Sequence, residues 1–393
     1  MRPFSLYVHI PYCQAKCPYC DFNSYAAQQW PETEYVDALC AEMRHYAQRP
    51  PWNDAQVQTV FFGGGTPSLF APASIATILN QAAGLWRHAP DVEVTLEANP
   101  GTVSRDKLAA LRAVGVNRMS FGVQSFAARH LRTLGRIHSA EEARVAVRSA
   151  LHAGFDNVSV DLIFALPEQT LEEWESDLAD ATRLGVHHIS AYNLTYEEGT
   201  PFHHWRAQGT LRQLPEETEV AMFTRTQGFL GAAGYQQYEV SNYARPGYAC
   251  RHNLNYWRAG EYLGVGAGAH SYQAPSTAVA GAGEVDGGWG WRWNNEKNPG
   301  RFMQAVATQG HARIASEALD ERQARGEFVF LGLRCRDGVP AAAFQQRFGT
   351  DLPAAFPRVV DLCDAGLLQH TDGRWRLTPH GLLLADSVFA TFV

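Results

Sequence analysis

Three cysteines stand close together near the start of the chain, in the segment CQAKCPYC. Cys13, Cys17 and Cys20 have the spacing C-x3-C-x2-C and directly follow a predicted strand. Three thiolates on one short loop can hold three corners of a cubane cluster and leave the fourth iron open for an exchangeable ligand. The chain has seven cysteines, an odd number that argues against a disulfide framework. The triad therefore predicts a [4Fe–4S] cluster.

Zinc is the chemical alternative for the same three thiols. A structural zinc site takes four ligands, commonly as two C-x2-C pairs, and the sequence has no second pair. His9, at the end of the preceding strand, could supply a fourth ligand, although packing beside the loop is its simpler role. The spacing favours the cluster, and both interpretations stay open at this point.

A second group of polar and small residues follows the later predicted strands. The segment FFGGGTP, residues 61–67, has consecutive glycines whose backbone groups can approach a ligand closely. Glu97, Gln124 and Asp161 lie in or at the end of later strands, and Arg136 comes shortly after the fourth. Each alone could be structural. Since the carboxyl ends of parallel strands assemble the site of a β/α barrel, together they predict one binding surface.

Strand and helix patterns alternate through the first half of the chain, and these elements must position the residues above. Apolar, β-branched runs predict six strands at 5–10, 59–64, 92–99, 118–124, 157–164 and 188–194. Helical spacing predicts helices at 32–48, 72–86, 104–114, 139–153 and 171–184, with Ser104 and Ser139 as N-caps. This alternation builds a parallel sheet covered by helices. Six units fit a partial (β/α)6 barrel better than a closed eightfold one.

The pattern changes after the sixth strand, and we predict three regions. They are a barrel over residues 1–210, an extension over residues 211–298, and a smaller, mostly helical domain over residues 299–393. In the extension, the Gly-rich run 281–291 predicts a flexible loop or a hairpin. The last domain ends in two short strands around Asp372–Gly373, so it resembles a winged helix. Its helices carry no basic stripe, so we expect packing or protein contact there, not DNA binding.

The bulk composition is that of an ordinary globular protein. Its 393 residues are 46% hydrophobic and 19% charged. The net charge of −7 provides no general attraction for nucleic acid or anionic membranes. We find neither an apolar run that could span a bilayer nor a cleavable export signal, so we expect a cytoplasmic protein. The sequence leaves open whether the chain forms a homodimer.

Taken in order, the motifs resemble one family. C-x3-C-x2-C after the first strand of a β/α barrel resembles the signature of the radical-SAM proteins. The segments YVHIPYC, FFGGGTPS, LEANP, GVQSF, LGRIHS and VDLIFALPEQT are similar to the oxygen-independent coproporphyrinogen III dehydrogenases and their relatives, over nearly the whole chain. The resemblance implies that the open iron binds S-adenosylmethionine (SAM). A reduced cluster then passes one electron to the sulfonium and releases a 5′-deoxyadenosyl radical.

The resemblance also implies a binding pocket for SAM. Its residues would be Tyr7, Gly64, Gly65, Thr66, Glu97, Gln124, Arg136 and Asp161. Glu97 would accept hydrogen bonds from hydroxyl groups of the cofactor, and Arg136 would bind a carboxylate in bidentate geometry.

Two departures from the dehydrogenase pattern favour a haem chaperone within the same subfamily. The dehydrogenases resembled here carry a fourth cysteine two residues after the third, where this chain has Phe22, and a longer N-terminal extension. RHNLNYW, residues 251–257, resembles the H-N-x-x-Y-W motif of the chaperones. Because imidazole is a common haem ligand, the resemblance implies His252 as axial ligand, in a loop that reaches the barrel mouth. Cys250 is a rival ligand, and we assign no role to His270.

Two functions of different class therefore stand. In the first, the protein binds haem and delivers it to acceptor haemoproteins such as respiratory enzymes, while cluster and SAM serve regulation, structure or an unidentified step. In the second, it is an enzyme that oxidatively decarboxylates two propionates of coproporphyrinogen III. The missing fourth cysteine and the H-N-x-x-Y-W motif favour the first.

Overall fold

The computed structural model describes residues 1–275 and 288–393 of the chain. Within these ranges the strands are β1 (Arg2–Ile10), β2 (Tyr12–Cys13), β3 (Tyr25–Ala26), β4 (Ala55–Gly64), β5 (Arg87–Ala98), β6 (Arg118–Gln124), β7 (Val158–Phe164), β8 (His188–Asn193), β9 (Gln236–Gln237), β10 (Asn242–Ala244), β11 (Tyr262–Val265), β12 (His270–Gln273), β13 (Trp291–Asn295), β14 (Arg313–Ala318), β15 (Val339–Pro340), β16 (Leu368–Thr371) and β17 (Arg374–Leu377). The α-helices are α1 (Glu32–Ala47), α2 (Pro72–Leu85), α3 (Arg105–Ala113), α4 (Ala128–Thr133), α5 (Ala140–His152), α6 (Leu171–Arg183), α7 (Pro201–Ala207), α8 (Glu216–Ala232), α9 (Arg251–Trp257), α10 (Pro299–Gln309), α11 (Glu321–Arg334), α12 (Ala341–Phe348), α13 (Leu352–Ala355), α14 (Arg358–Asp364), α15 (Pro379–Leu383) and α16 (Ala385–Phe389). Most of the run predicted as a loop or hairpin, 281–291, lies outside the described residues.

A sheet of parallel strands forms the centre of the molecule. Strands β1, β4, β5, β6, β7 and β8 pair in this order, each parallel to the next. The six predicted strands and the five predicted helices are confirmed, with ends shifted by a few residues. Ser104 and Ser139 cap α3 and α5 as predicted, and Ser139 forms a capping box with Glu142. The radical-SAM type of α/β fold is therefore confirmed, as an open sheet within the described residues.

Side chains alternate between the two faces of these strands. The outer face is apolar and packs against the helices; its fully buried side chains include Leu6, Val60, Leu96, Phe121 and Val160. The inner face is polar yet buried, and carries Ser5, Thr59, Glu93, Arg118 and Ser159. Because a buried polar group without a partner costs free energy, such a face must bond within itself or to a ligand. The interior of the barrel is therefore the place where chemistry is to be sought.

The sheet continues beyond β1 into strands that the sequence did not predict. β11 pairs in parallel with β1, with Tyr7 opposite Gly264, and β12 to β14 follow in antiparallel order. Glu42 of α1 joins this extension to the barrel by accepting hydrogen bonds from the Gly266 amide and Asn295 Nδ2, both at 2.9 Å. A buried carboxylate with several donors holds the two parts in one register.

The packing divides the chain later than the predicted boundary at residue 299. Phe302 and Val306 of α10 belong to the core of the barrel, and the second core is formed by Tyr272 of β12 together with residues from Leu319 onward. In the C-terminal domain, β15, β17 and β16 form a small sheet, and the predicted strands around Asp372–Gly373 are confirmed as the hairpin of β16 and β17. Nowhere in the described part of the chain does a helix have the length and apolar character to cross a bilayer.

Candidate functional site

The three cysteines of the triad lie on β2 and on the loop that follows it. Cys13 is buried, and Cys17 and Cys20 are half-buried. Burial raises the pKa of the Cys13 and Cys20 thiols, so metal binding there must displace their protons. Within the described residues no three His, Cys, Asp or Glu side chains converge on a point that could hold one ion. Each thiolate of a cubane binds a different iron atom, so a triad for a cluster need not converge.

The glycine run after β4 packs directly on the cysteine loop. The amides of Gly65 and Thr66 donate to the carbonyls of Ile10 and Tyr12, each at 2.8 Å. Thr66 Oγ1 donates to Cys13 Sγ at 3.5 Å. The glycine run therefore fixes the backbone of β2, which contains Cys13.

Replacing Gly65 by alanine should loosen this loop and reduce the bound metal. A Cβ at this position would lie 2.6 Å from the Tyr12 carbonyl oxygen and 2.9 Å from that of Ile10, so backbone must shift. We expect a loss of about 1–3 kcal/mol in the free energy of unfolding and a lower iron content after reconstitution. Thermal unfolding and iron and sulfide assays measure both. Gly84→Ala is the control, since a Cβ there meets nothing within 4 Å. Equal metal content in the two variants would contradict the packing argument.

Arg136 places a positive charge beside the triad. Its Nη1 donates to Cys17 Sγ at 3.5 Å and its Nη2 to the Gly122 carbonyl at 2.6 Å. Its Nε is buried and has no hydrogen-bond partner within the described residues. Such an unpartnered N–H lacks an acceptor, and either the sulfur of a cluster or the carboxylate of a cofactor could supply one. The residues at this end of the sheet therefore fit a cluster with bound SAM.

Tyr7 and His9 lie on the polar face of β1, next to the glycine run. His9 Nε2 lies 2.8 Å from the Asn23 carbonyl, which can only accept, so Nε2 carries the proton and Nδ1 accepts from Tyr7 OH at 3.0 Å. Burial lowers the pKa of His9 to about 4, so the ring stays neutral. A Cβ on Gly64, whose φ is 110°, would lie 2.4 Å from that ring. His9, the fourth ligand of the zinc alternative, thus has both ring nitrogens bonded to protein.

Two half-buried carboxyl groups, Glu97 on β5 and Asp161 on β7, lie on the same face. Burial, followed by the charge of Asp161, raises the pKa of Glu97 to about 8. Asp161 accepts hydrogen bonds from Ser190 Oγ at 2.7 Å and from Ser120 Oγ at 3.2 Å, and burial raises its pKa as well. Protein hydroxyls therefore satisfy Asp161, whereas Glu97 lines a cavity.

Gln124 ends β6 in a conformation that few residues other than glycine adopt. Its φ is 68°, and the register between β6 and β7 shifts between Gly122 and Gln124. Such an irregularity at a strand end re-aims a side chain and is frequent at functional sites. The structure brings six of the predicted SAM residues to one end of the sheet: Tyr7, Gly64, Glu97, Gln124, Arg136 and Asp161. Asp161 pairs in register with Gly122, whose carbonyl accepts from Arg136.

His252 lies on helix α9 and is buried inside the barrel, so the prediction of a loop there is wrong. Its Nδ1 lies 2.7 Å from Thr59 Oγ1 and its Nε2 lies 2.8 Å from Tyr256 OH. The ring stacks on Phe61 with centroids 4.9 Å apart. Burial lowers the pKa of His252 to about 3. In this conformation the imidazole has no unbonded nitrogen to offer a metal.

The contacts of Glu93 explain why residues 251–257 form a helix. Its carboxylate accepts hydrogen bonds from the amides of Arg251 and His252 at 3.2 and 3.1 Å, which satisfies the first turn of α9. This cap comes from a distant strand, so the local sequence does not reveal it. The His252 ring lies 6.3 Å from the ring of Tyr7 and 4.9 Å from that of Phe61, the first residue of the segment 61–67, between ring centres. The helix therefore holds His252 on the inner face of the sheet, packed against β1 and β4 and bonded to Thr59.

A cavity of about 600 Å³ opens from the barrel mouth toward the C-terminal domain. Tyr7, Gly64 and Glu97 line its inner end. The outer wall includes Phe22, Tyr256, Trp257, Tyr262, His270, Tyr272, Arg292, Lys297, Glu327, Phe328 and Arg347. Small-molecule sites commonly enclose about 300–1,000 Å³, so the volume fits a cofactor-sized ligand. Sequence reasoning missed Tyr262, Tyr272 and Arg347 of this wall because distant segments of the chain contribute them.

Two family models match the chain. That of the radical SAM superfamily matches residues 7–181, which include the cysteine loop, the glycine run and β1 to β7. That of the HemN C-terminal domain matches residues 319–384, which supply most of the second core. Both matches agree with the division of the molecule into a barrel with its extension and a smaller tail.

Relatives resemble the chain over their full length. The heme chaperone HemW of Escherichia coli is 38% identical, over 100% of this chain and 99% of that protein. The heme chaperone HemW of Bacillus subtilis is 36% identical, over 99% of each. Among solved structures, coproporphyrinogen III oxidase (HemN) from Escherichia coli, a radical SAM enzyme, matches with a TM-score of 0.81 at 25% identity, over 100% of this chain and 90% of that one.

Proposed function

The chain belongs to the radical SAM superfamily and, within it, to the family of the heme chaperones HemW, and from this premise we propose that it binds haem and delivers it to acceptor haemoproteins such as respiratory enzymes. The observation that carries the proposal is the similarity to heme chaperones from two distant bacteria over the whole length of each protein. We place this activity in the cytoplasm.

We propose further that Cys13, Cys17 and Cys20 hold a [4Fe–4S] cluster and that SAM binds beside it. The proposed SAM residues are Tyr7, Gly64, Gly65, Thr66, Glu97, Gln124, Arg136 and Asp161. A bound cluster supplies one-electron chemistry to SAM. The protein contributes positive charge through Arg136, a carboxyl acceptor on the cavity through Glu97, and rigid backbone through the glycine run. Asp161 lies level with Gly122, to which Arg136 donates, and the hydroxyls of Ser120 and Ser190 hold its carboxylate in place.

His252 is the haem ligand that the sequence motif indicates, and it stays a prediction. The imidazole can bind iron only if it gives up its hydrogen bonds to Thr59 and Tyr256. Each lost bond leaves a buried polar group without its partner, at a cost of about 1–3 kcal/mol. Haem binding at His252 therefore requires the imidazole to leave these two partners.

A dehydrogenase acting on coproporphyrinogen III is the second candidate, and the structural match with HemN favours it. Phe22 argues against it. This side chain is 62% exposed at the position where the sequence comparison expects a fourth cysteine. An exposed phenyl ring can neither bind a metal nor transfer a proton, so any such role of that position is lost.

The two candidates predict opposite results in paired assays. We expect ferric haem bound to the reconstituted protein to pass to an apo-haemoprotein, measured by the acceptor's absorption spectrum. We expect no protoporphyrinogen IX from coproporphyrinogen III with SAM and a reductant under anaerobic conditions. Phe22→Cys should not create turnover, since one thiol does not rebuild a substrate site. Robust turnover by the unaltered chain, with no haem transfer, would establish the dehydrogenase instead.

A further inference from the structure

The outer wall of the cavity carries side chains that the roles above do not use. The wall has six Phe, Tyr and Trp side chains: Phe22, Tyr256, Trp257, Tyr262, Tyr272 and Phe328, of which Tyr256 also bonds His252. Aromatic faces of this size bury a flat, apolar ring system well.

Arg347 is a cation on this wall that has no carboxylate partner in the described parts of the chain. Its Nη2 donates to Tyr272 OH at 2.9 Å, and its guanidinium lies 5.3 Å from the centre of the Phe328 ring. Arg292, by contrast, is held by ion pairs with Glu317 and Glu327. An arginine fixed on aromatic surface, with donors left over, fits a carboxylate in bidentate geometry.

His270 is the histidine of this wall that is open to a ligand. It is the first residue of β12, its side chain is exposed, and neither ring nitrogen has a hydrogen-bond partner within residues 1–275 and 288–393. Pairing of β12 with β13, opposite Asn294, fixes its backbone. A Cβ on Gly264 would lie 2.1 Å from the His270 carbonyl oxygen, so β11 packs against the His270 backbone more closely than any residue other than glycine would permit. The imidazole therefore stands on rigid backbone.

We propose that the haem occupies this cavity, with its iron on His270 and a propionate on Arg347. An iron porphyrin needs aromatic side chains against its flat faces, an axial nitrogen for its iron and cations for its two carboxylates, and the wall supplies all three. The exposed Lys297 on the same wall would pair with the second propionate. The haem then lies beside the SAM pocket, because Tyr7, Gly64 and Glu97 line the same cavity. This inference rests on the proposed function and names the place where it is carried out.

Titration of the reconstituted protein with ferric haem tests the axial ligand. His270→Ala should shift the Soret band, change the electron paramagnetic resonance spectrum of the iron, and weaken binding at least about tenfold. His380→Ala, on the exposed surface of α15, is the matched control and should bind like the unaltered protein. An unchanged spectrum and affinity in His270→Ala would overturn the inference, and a change in His252→Ala alone would assign the iron to α9.

The propionate contact is tested with haem and haem dimethyl ester, whose carboxylates are blocked. We expect the unaltered protein to bind haem more tightly than the ester. In Arg347→Met, which keeps its packing on Phe328, the ratio of the two affinities should fall about fivefold. Arg322→Met, on the exposed side of α11, should retain the preference. Equal preference in both variants would overturn the placement at Arg347. If the unaltered protein binds no haem, the proposed function itself is wrong; the variants instead test where haem binds.

Discussion

Replacing Cys17 by alanine should abolish the visible absorbance of the iron–sulfur cluster together with its iron and sulfide. A cubane needs a thiolate at each protein-held corner, and two corners on a loop of this length do not retain it. The substitution also removes the sulfur to which Arg136 donates, and so leaves a further buried donor unpartnered. Anaerobically reconstituted unaltered protein should carry about four iron and four sulfide per chain.

The control for the triad is Cys363→Ala, in α14 of the C-terminal domain, where the thiol is half-buried and far from the loop. We expect it to keep full cluster content, while alanine at Cys13 or Cys20 behaves like Cys17→Ala. Iron, zinc and labile sulfide are measured on the same samples. Stoichiometric zinc without sulfide in the unaltered protein would establish the zinc alternative and remove the basis for SAM chemistry.

Glu97→Ala should lower the affinity for SAM by about 10- to 100-fold and leave the cluster intact. Glu97 is proposed to accept hydrogen bonds from cofactor hydroxyls, and a hydrogen-bonding group left without its partner costs about 1–3 kcal/mol. Its carboxyl lines the cavity, and burial and the nearby Asp161 already raise its pKa to about 8, so its removal takes away a group whose ionised form the fold disfavours. Loss of folding is therefore not the expected cause of weaker binding.

Equilibrium dialysis of SAM against reconstituted protein measures this effect, with cluster content determined in parallel. Glu97→Gln keeps the size and one acceptor oxygen, so it should fall between the alanine variant and the unaltered protein. Glu141→Ala, on an exposed face of α5, controls for the loss of a carboxylate elsewhere. Unchanged SAM affinity in Glu97→Ala, with the cluster present, would remove Glu97 from the pocket.

Local sequence signals predicted the barrel because its strands and helices depend on neighbouring residues. The apolar runs that became β1 and β4 to β8 are each contiguous, and Ser139 caps α5 through a residue three positions later. The strands β11 to β14 escaped prediction for the opposite reason. The pairing of β11 with β1 joins Tyr7 to Gly264, across more than half of the chain, and β11 to β14 have only four to six residues each, too few for a clear strand periodicity.

The candidate site also has a part that the sequence predicted and a part that it did not. The triad could be recognised from its spacing alone, and backbone hydrogen bonds set it beside the glycine run in the structure. The state of His252 could not be predicted, because Thr59 and Glu93 come to it from two distant strands. The wall with His270 and Arg347 also escaped prediction, since it forms only where the extension meets the C-terminal domain. These are tertiary contacts, which no motif encodes.

The position of β1 within the sheet has a consequence for the order of events during synthesis. β1 has β4 on one side and β11 on the other, so it is complete only after residue 265 has left the ribosome. Until then one side of β1 presents unpaired N–H and C=O groups, an edge that invites wrong partners. The cysteine loop grows directly out of this strand. We therefore expect stable insertion of metal to follow release of the extension, long after the cysteines themselves have emerged.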